Sequence, residues 1–412
     1  MSFVDKEIND KDIIKNSTNF SDEEIKILDT LNLSSNDSKN KLNELLIKEK
    51  ENKISNIEEN SKIDLDVDIE KNNKHIKKYK SNDSRLYGIT FQSSIESNII
   101  NFAVSSLNIS KDNNITLLSF QQEEEINEEE EANINTINNE ENNSIKFKSQ
   151  VKCEFPVSSI LFSPHEENKN LLISTSDILS LYSYEDEKLY LKVGFKRNSK
   201  KYCGPLTSCD WSRANKAIIG VSSVDQTCSI WDLNKLEEKY MIIAHDKEVY
   251  DISLGQDEFI FMSTGADGSV RLFDSRQSNS SSIIFETRDE SPMTRLKWNL
   301  VNPNFILTVI VDKNEIIILD QRKLSAPYGI LKVHTNVVNN AIWAPQSNSN
   351  LISVSDDKSA LLWDIYCDSL KPEEYIMRYD AENEIENVAW GDVTQNWIGI
   401  VDGNQAEVLR IQ

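Results

Sequence analysis

The chain has 412 residues and a formal net charge of −23, and two segments supply most of that charge. Residues 1–75 hold 18 acidic residues against 12 lysines, and residues 121–142 hold nine glutamates and no base, which leaves −8 for the rest. A mildly acidic remainder without a basic stripe argues against nucleic acid or an anionic membrane as a partner. The five cysteines are odd in number and lack CxxC spacing, so we expect neither a disulfide framework nor a zinc site.

Residues 1–75 are rich in Asn, Ser, Lys, Ile and Glu, whereas all seven tryptophans fall between Trp211 and Trp397. Packed cores need aromatic residues, so we expect the core in the C-terminal two-thirds. Within residues 21–31 and 42–54, apolar residues recur at helical spacing, and Ser21 begins a capping-box pattern. We predict a disordered tail with short helices, which is either solvated or docks a partner.

The segment that begins at Met1 is polar and does not read as a secretory signal. No apolar run approaches the ~20 residues that a membrane span requires. We therefore expect a protein of the cytoplasm and nucleus, with no membrane partner.

One strand motif, in which alternating apolar residues end on a large anchor residue, recurs along the chain. The anchors are Phe91, Phe162, Trp211, Leu254, Trp298, Trp343 and Trp390. The intervals between them are 71, 49, 43, 44, 45 and 47 residues, and removing residues 121–142 brings the first interval to 49. This period, combined with period-2 alternation, predicts repeated units of about four antiparallel strands.

A four-stranded unit cannot bury both faces alone, so neighbouring units must stack, and closure into a ring removes free ends. Seven units predict an all-β fold, a seven-bladed β-propeller. The last strand, Ala406–Ile411, leaves its blade one strand short, and Ile76–Tyr79 is expected to supply it. The expected propeller is therefore residues 76–412, behind a tail of residues 1–75, with an acidic disordered loop at about 121–146.

Two sets of polar residues share one order along the chain. The first is His334, Ser353, Asp357 and Trp363, and the second is His245, Ser263 and Asp267, with Phe273 in place of the tryptophan. We expect each set to form a structural hydrogen-bond network, with the two sets one blade apart. A hydrolase with a Ser–His–Asp set in a central channel is the alternative from another class. A catalytic set would not be copied from blade to blade, so no enzyme, metal or cofactor is predicted.

Several segments also match one family closely. They are Pro205–Trp211, Ser222–Trp231, Gly265–Arg271, Ala341–Pro345, Glu384–Trp390, Val408–Arg410 and, above all, Ala244-His-Asp-Lys-Glu-Val-Tyr-Asp-Ile252. They resemble the WD-repeat subfamily that contains the plant regulator Transparent Testa Glabra and its animal and fungal counterparts, which are cullin-ligase-associated factors and kinase scaffolds. The resemblance covers residues 150–412 well and 76–120 weakly, and the tail and residues 121–142 have no counterpart in compact members.

This resemblance implies a monomeric, non-enzymatic scaffold that binds proteins. Expected partners are a dual-specificity tyrosine-regulated-type kinase and transcription factors. The alternative is a substrate receptor of a cullin-RING ubiquitin ligase, in which an arginine of a WDxR-like box contacts the ligase adaptor.

Two segments match that box loosely, since neither has the tryptophan: Phe273-Asp274-Ser-Arg276 and Leu319-Asp320-Gln-Arg322. Each arginine is expected either to contact an adaptor or simply to pair with a neighbouring acid at the propeller rim. A second candidate surface lies in the matched segment: Asp246, Lys247, Glu248 and Tyr250. These four residues are expected where a loop enters an innermost strand, as a partner contact or as a solvated turn.

Overall fold

The computed structural model describes residues 76–81, 84–96, 98–109, 112–122, 144–195, 204–277, 281–324, 326–365 and 375–411. The predicted tail at 1–75, with its helical patterns, and positions 123–143 of the acidic loop lie outside these described residues. In the described part the regular elements are β-strands and two 3-10 turns, Glu166–Asn168 and Ser275–Gln277.

The strands form seven four-stranded antiparallel sheets. The strands of each sheet are given in order from the innermost to the outermost. Sheet 1 holds β2 (Leu86–Glu96), β3 (Ile99–Ser106), β4 (Asn113–Gln121) and β5 (Lys146–Cys153). Sheet 2 holds β6 (Ser159–Phe162), β7 (Leu171–Thr175), β8 (Leu179–Glu185) and β9 (Lys188–Phe195). Sheet 3 holds β10 (Leu206–Trp211), β11 (Ile218–Ser223), β12 (Thr227–Asp232) and β13 (Glu237–Ile243).

The remaining sheets follow the same plan until the last one. Sheet 4 holds β14 (Val249–Leu254), β15 (Ile260–Gly265), β16 (Ser269–Asp274) and β17 (Ser281–Glu286). Sheet 5 holds β18 (Met293–Trp298), β19 (Phe305–Ile310), β20 (Ile316–Asp320) and β21 (Gly329–Leu331). Sheet 6 holds β22 (Val338–Trp343), β23 (Asn350–Ser355), β24 (Ser359–Asp364) and β25 (Met377–Asp380). Sheet 7 holds β26 (Ile385–Trp390), β27 (Trp397–Asp402), β28 (Gln405–Arg410) and β1 (Ile76–Lys80).

The seven innermost strands form a closed ring. Each packs against the innermost strands of both neighbouring sheets, and β26 of sheet 7 contacts β2 of sheet 1. The seven-bladed β-propeller expected from the sequence is therefore confirmed. Six of the seven innermost strands end on a predicted anchor residue, and the seventh anchor, Phe91, lies in the middle of the longer strand β2.

The core lies between the sheets. In the described residues it divides into seven clusters of buried apolar side chains, one for each pair of neighbouring sheets. Three anchor tryptophans also stabilise the turn that follows their strand, because the indole N–H donates to the backbone carbonyl five residues later, across the turn. The pairs are Trp211 with Lys216, Trp298 with Pro303 and Trp390 with Gln395. This second role explains a tryptophan at these anchors better than packing alone.

Ring closure uses both ends of the described chain. Strand β1 pairs antiparallel with β28, with Ile76 opposite Leu409 and Lys80 opposite Gln405. The outer strand of sheet 7 is thus the first strand in sequence, as the pattern at Ile76–Tyr79 predicts. All seven sheets belong to one compact unit, His75–Gln412.

Candidate functional site

The connections between strands define two faces of the ring. Because the strands are antiparallel, the loops before each innermost strand and those between second and third strands lie on one side, here called the upper face. The loops between first and second strands and after third strands lie on the other side, the lower face. Residues 244–248 and 266–268 are therefore upper, whereas 275–277, 321–324 and 326–328 are lower.

The first predicted network lies beneath the upper face of sheet 6 as one chain of hydrogen bonds. His334 Nδ1 lies 2.9 Å from the Asp357 carboxylate, and its Nε2 lies 2.7 Å from Ser353 Oγ. The Trp363 indole N–H donates to the same Oγ at 2.9 Å. Since a carboxylate only accepts, Nδ1 carries the proton and the Ser353 hydroxyl donates to Nε2.

The second network repeats this geometry in sheet 4. His245 Nδ1 lies 2.9 Å from Asp267, and Nε2 lies 2.8 Å from Ser263 Oγ. The two networks are two sheets apart, so the expectation of adjacent blades is wrong: the 89 residues between His245 and His334 span two repeats. Phe273 stacks on Phe261, with ring centroids 5.0 Å apart, and gives Ser263 no donor.

Both networks are closed to solvent. His245 is 1% exposed, His334 is 2% exposed, and Ser263 and Ser353 are fully buried. Burial by itself would raise the pKa of Asp357, but hydrogen bonds from His334 and Ser359 outweigh it and hold that pKa well below its usual value. The serines cannot reach a substrate, which removes the channel-hydrolase alternative.

Sheet 4 adds a residue that the sequence pattern did not single out. Arg271 Nη2 lies 2.9 Å from Asp267 and 2.7 Å from Asp246, so its guanidinium joins the buried network to the upper surface. Sheet 6 has Leu361 at this position. The one signal for Arg271 in the sequence is that its charged side chain occupies a strand position that is otherwise apolar.

The matched segment lies on the upper face, at the entry to β14. Asp246, Lys247 and Glu248 are exposed, and Tyr250 is half-buried as the second residue of the strand. Arg271 holds Asp246, and Lys247 lies 3.3 Å from Glu290 of the next loop. The structure thus presents three charged side chains together, and two of them are oriented by ion pairs.

The two Asp-x-Arg pairs lie on the opposite, lower face. Arg276 binds Asp274 through two hydrogen bonds of 2.7 and 2.8 Å, and Arg322 binds Asp320 through bonds of 2.7 and 2.9 Å. The guanidiniums also lie over Phe259 and Phe305, at 5.1 and 6.0 Å from the ring centroids.

These two constellations are alike in neighbouring sheets, 4 and 5. Each arginine pairs with its own acid, yet 54% of the Arg276 side chain and 57% of the Arg322 side chain stay exposed. Two rigid guanidinium groups are therefore available at one rim. The matched segment and the Asp-x-Arg pairs cannot serve one flat contact, because they face opposite sides of the ring.

A cavity of about 500 Å³ lies at the centre of the ring, lined by residues of all seven innermost strands and by lower-face loops such as Gly255–Gln256 and Asn299–Leu300. Its charged groups include Asp210, Asp251, Arg295 and Lys297. Asp251 accepts the backbone N–H of Leu296 at 2.8 Å and lies 3.5 Å from Lys297 Nζ. Burial is the main cause that raises the pKa of Asp210. Sequence reasoning missed these residues because their polar alternation reads as an ordinary exposed strand face.

Comparison with known proteins gives the family. The model "WD domain, G-beta repeat" matches residues 236–274 and 325–364. The "DDB1- and CUL4-associated factor 7 homolog" of Dictyostelium discoideum is 35% identical over 278 residues, which cover 66% of this chain and 85% of that protein. The chain belongs to the WD-repeat family. Its repeats are offset from the sheets by one strand, since residues 236–274 run from β13 of sheet 3 through β16 of sheet 4.

Two further relatives are fungal. A WD repeat-containing protein of Schizosaccharomyces pombe is 32% identical over 53% of this WD-repeat chain, which spans 57% of that protein. One of Saccharomyces cerevisiae is 31% identical over 54% of the chain, which spans 50% of that protein. Among the residues that the structure describes, no helix is long and apolar enough to cross a membrane, and no group of His, Cys, Asp and Glu side chains forms a metal site.

Proposed function

We propose that this WD-repeat protein is a non-enzymatic adaptor that assembles protein complexes through both faces of its propeller. The observation that carries the proposal is the placement of two ordered, charged surfaces on opposite faces, beside histidine networks whose His and Ser side chains are buried. An enzyme needs reactive groups that substrate can reach, whereas an adaptor needs separate surfaces.

The finer proposal concerns the upper face. The segment Ala244–Ile252, which resembles the Transparent Testa Glabra subfamily, exposes Asp246, Lys247 and Glu248 there. We propose that this face binds a dual-specificity tyrosine-regulated-type kinase, and that such complexes include transcription factors in the cytoplasm and nucleus. The subfamily resemblance supports this assignment.

The second candidate function is that of a substrate receptor for a cullin-RING ligase. The relative from Dictyostelium is named for association with DDB1 and CUL4. The favouring observation is the pair of similar Asp–Arg–aromatic constellations at Arg276 and Arg322 on the lower face. Fixed guanidinium forks are frequent anchors of protein interfaces.

Face-specific charge reversal in the full-length chain tests both assignments. Arg276→Glu combined with Arg322→Glu should abolish binding to purified DDB1, while Asp246→Arg combined with Lys247→Glu should abolish kinase binding. Arg378→Glu is the matched control, because Arg378 also pairs with an acid two residues away, Asp380, at 2.8 Å but on an outer strand. DDB1 binding that survives the lower-face reversal would remove the receptor function, and a chain that binds neither protein would contradict the adaptor proposal.

A further inference from the structure

Serine followed by proline occurs twice in the chain, at Ser163-Pro164 and Ser291-Pro292, and threonine followed by proline does not occur. Such pairs are the acceptor pattern of proline-directed serine/threonine kinases, because proline lacks the backbone N–H that other residues would leave without an acceptor in the substrate groove. Ser163 is fully buried, so a kinase cannot reach it in the folded chain. Ser291 lies on the upper face, in the loop between β17 and β18.

Arg288 gives this acceptor a second recognition feature. It lies three residues before Ser291, its side chain is exposed, and within the described ranges no ion pair involves it. A basic side chain at this distance from the serine contacts acidic residues in the substrate groove of many serine kinases, through the charge-assisted hydrogen bonds that a guanidinium makes with carboxylates. Arg288, Ser291 and Pro292 together are therefore a more specific acceptor sequence than a Ser-Pro pair alone.

The loop places the Ser291 hydroxyl at the surface. Ser291 Oγ donates to Asp289 Oδ2 at 2.6 Å, and residues 288–290 are exposed. Thr287 closes the loop, since its carbonyl accepts the Glu290 N–H at 3.2 Å and its hydroxyl lies 3.1 Å from the Ser291 carbonyl. Glu290 has a φ of +51°, in the left-handed region that non-glycine residues seldom adopt. A kinase binds its substrate as an extended segment, and a strained, exposed turn opens at low cost.

Two lysines lie beside this hydroxyl. Lys313 Nζ lies 3.5 Å from Asp289 Oδ2, the same oxygen that accepts the Ser291 hydroxyl, and Lys247 Nζ lies 3.3 Å from Glu290. A phosphate on Ser291 carries a charge of about −1.5 to −2 at neutral pH and three acceptor oxygens, so it competes with these carboxylates for both ammonium groups. The surroundings of Ser291 therefore suit the phosphorylated product as well as the substrate.

We propose that Ser291 is a phosphorylation site of a proline-directed serine/threonine kinase that also recognises Arg288. In the reaction, Ser291 Oγ forms a bond to the terminal phosphorus of ATP, the bond between that phosphorus and ADP breaks, and the hydroxyl proton passes to a carboxylate base of the kinase. The modification adds negative charge beside Lys247 on the upper face. The site does not depend on the proposed adaptor function, because its recognition features lie within one loop.

Phosphorylation of the folded, full-length chain tests the site. The chain is incubated with ATP and a panel of purified proline-directed kinases, some of which prefer arginine three residues before the serine. Phosphopeptide mass spectrometry should find phosphate on Ser291 and none on Ser163. A peptide of residues 284–297 is the matched control for the folded loop, and its initial rate should lie within about tenfold of that of the chain. Phosphate on the peptide but not on the chain, or on neither, would overturn the proposal.

Three variants separate recognition from the hydroxyl itself. Ser291→Ala should remove the signal. Pro292→Ala and Arg288→Gln keep the hydroxyl, and they should lower the initial rate by at least about tenfold and, with the arginine-preferring kinases, about threefold. Thermal midpoints within about 2 °C of the wild-type value verify that each variant is folded. A rate that Pro292→Ala leaves unchanged would show that Ser291 is modified without proline-directed recognition, which contradicts the proposal.

Discussion

Ser353 is the shared member of the buried network in sheet 6, and Ser263 is its counterpart in sheet 4. Ser353 accepts the Trp363 indole N–H and donates to His334, whereas the Ser263 hydroxyl has His245 as its one hydrogen-bond partner among the described residues. A buried donor left without a partner costs more than an average hydrogen bond contributes. The two serines therefore differ in what their loss leaves unpaired.

Ser353→Ala should lower the free energy of unfolding by about 2–4 kcal/mol, and Ser263→Ala by about 1–2 kcal/mol. The larger effect arises because two buried polar groups lose their partner in sheet 6 and one does so in sheet 4. Thermal and urea unfolding of both variants measure the difference. Equal losses would show that the indole N–H contributes nothing through Ser353.

A double-mutant cycle supplies the control for this comparison. Trp363→Phe gives sheet 6 the aromatic residue found at this place in sheet 4. In that background, Ser353→Ala should cost about as much as Ser263→Ala does in the wild type.

The residue-scale chemistry was predictable where it repeats and unpredictable where it does not. His334, Ser353 and Asp357 have a counterpart two repeats earlier, so their order along the chain was visible. Arg271 and Arg295 occur once each, and their partners lie in other loops or across the ring. The bulge at Arg295 depends on how β18 pairs with β19, which no local pattern specifies.

Among the elements, β1 differs because it closes the ring with a buried lysine. Lys77 is 3% exposed, and its ammonium donates to the Gln121 carbonyl of sheet 1 at 2.7 Å. It also lies 5.4 Å from the Phe120 ring centroid and 5.8 Å from that of Trp397. Lys77 thus joins the closing strand of sheet 7 to sheet 1.

Lys77→Glu should destabilise the protein by about 3–5 kcal/mol, because it buries an uncompensated negative charge beside a carbonyl oxygen. Lys80→Glu, on the same strand but exposed, should change stability by about 0.5 kcal/mol or less. Limited proteolysis near residue 80 should detect opening of β1 in the first variant and not in the second. Similar protease sensitivity in both would contradict a special role for Lys77.

The inner part of sheet 7 contains a carboxyl group that opposes folding when ionised. Asp402 ends β27, is fully buried, and accepts hydrogen bonds from the backbone and side-chain N–H groups of Asn383. Burial, aided by the nearby Glu407 carboxylate, raises the pKa of Asp402 to about 6. The folded state therefore binds this proton at a pH where the unfolded chain has released it.

Lowering the pH from about 7 to about 5 should accordingly add roughly 1–1.5 kcal/mol to the free energy of unfolding from this group. Asp402→Asn should remove that gain and stabilise the protein at neutral pH. Urea unfolding at the two pH values, for wild type and variant, isolates the contribution from other titrating groups. An identical pH slope in the two proteins would show that Asp402 titrates normally.

For the whole molecule, the sequence predicted the number of blades because each innermost strand carries a large anchor residue, and five of the six intervals between anchors lie between 43 and 49 residues. Even the closing strand at Ile76–Tyr79 was predictable, since the last repeat was one strand short. The face on which each loop residue lies was not predicted from the sequence. Lys247 and Arg276 are both charged loop residues, and they are assigned to opposite faces only once the alternation of the loops between the two sides of the ring is known.

Polar side chains on the innermost strands reinforce the ring from blade to blade. In the described residues, a polar side chain at the start of an innermost strand donates to the first carbonyl of the next innermost strand in three places. The pairs are Ser158, just before β6, with Leu206, Thr207 with Val249 and Asn339 with Ile385. Neighbouring blades are thus joined by hydrogen bonds as well as by an apolar cluster. Each blade depends on two neighbours, so the stability of the ring depends on its closing contact.

Two truncations that differ by six residues test this dependence. Deletion of residues 1–75 leaves every strand of the seven sheets intact, and the thermal midpoint should stay within about 2 °C of the full-length value. Deletion of residues 1–81 also removes β1, which exposes the edge of β28 and the apolar side chains that Tyr79 covers. Its midpoint should fall by roughly 5–10 °C, with aggregation through the open edge. Equal midpoints for the two truncations would mean that the ring does not depend on its closing strand.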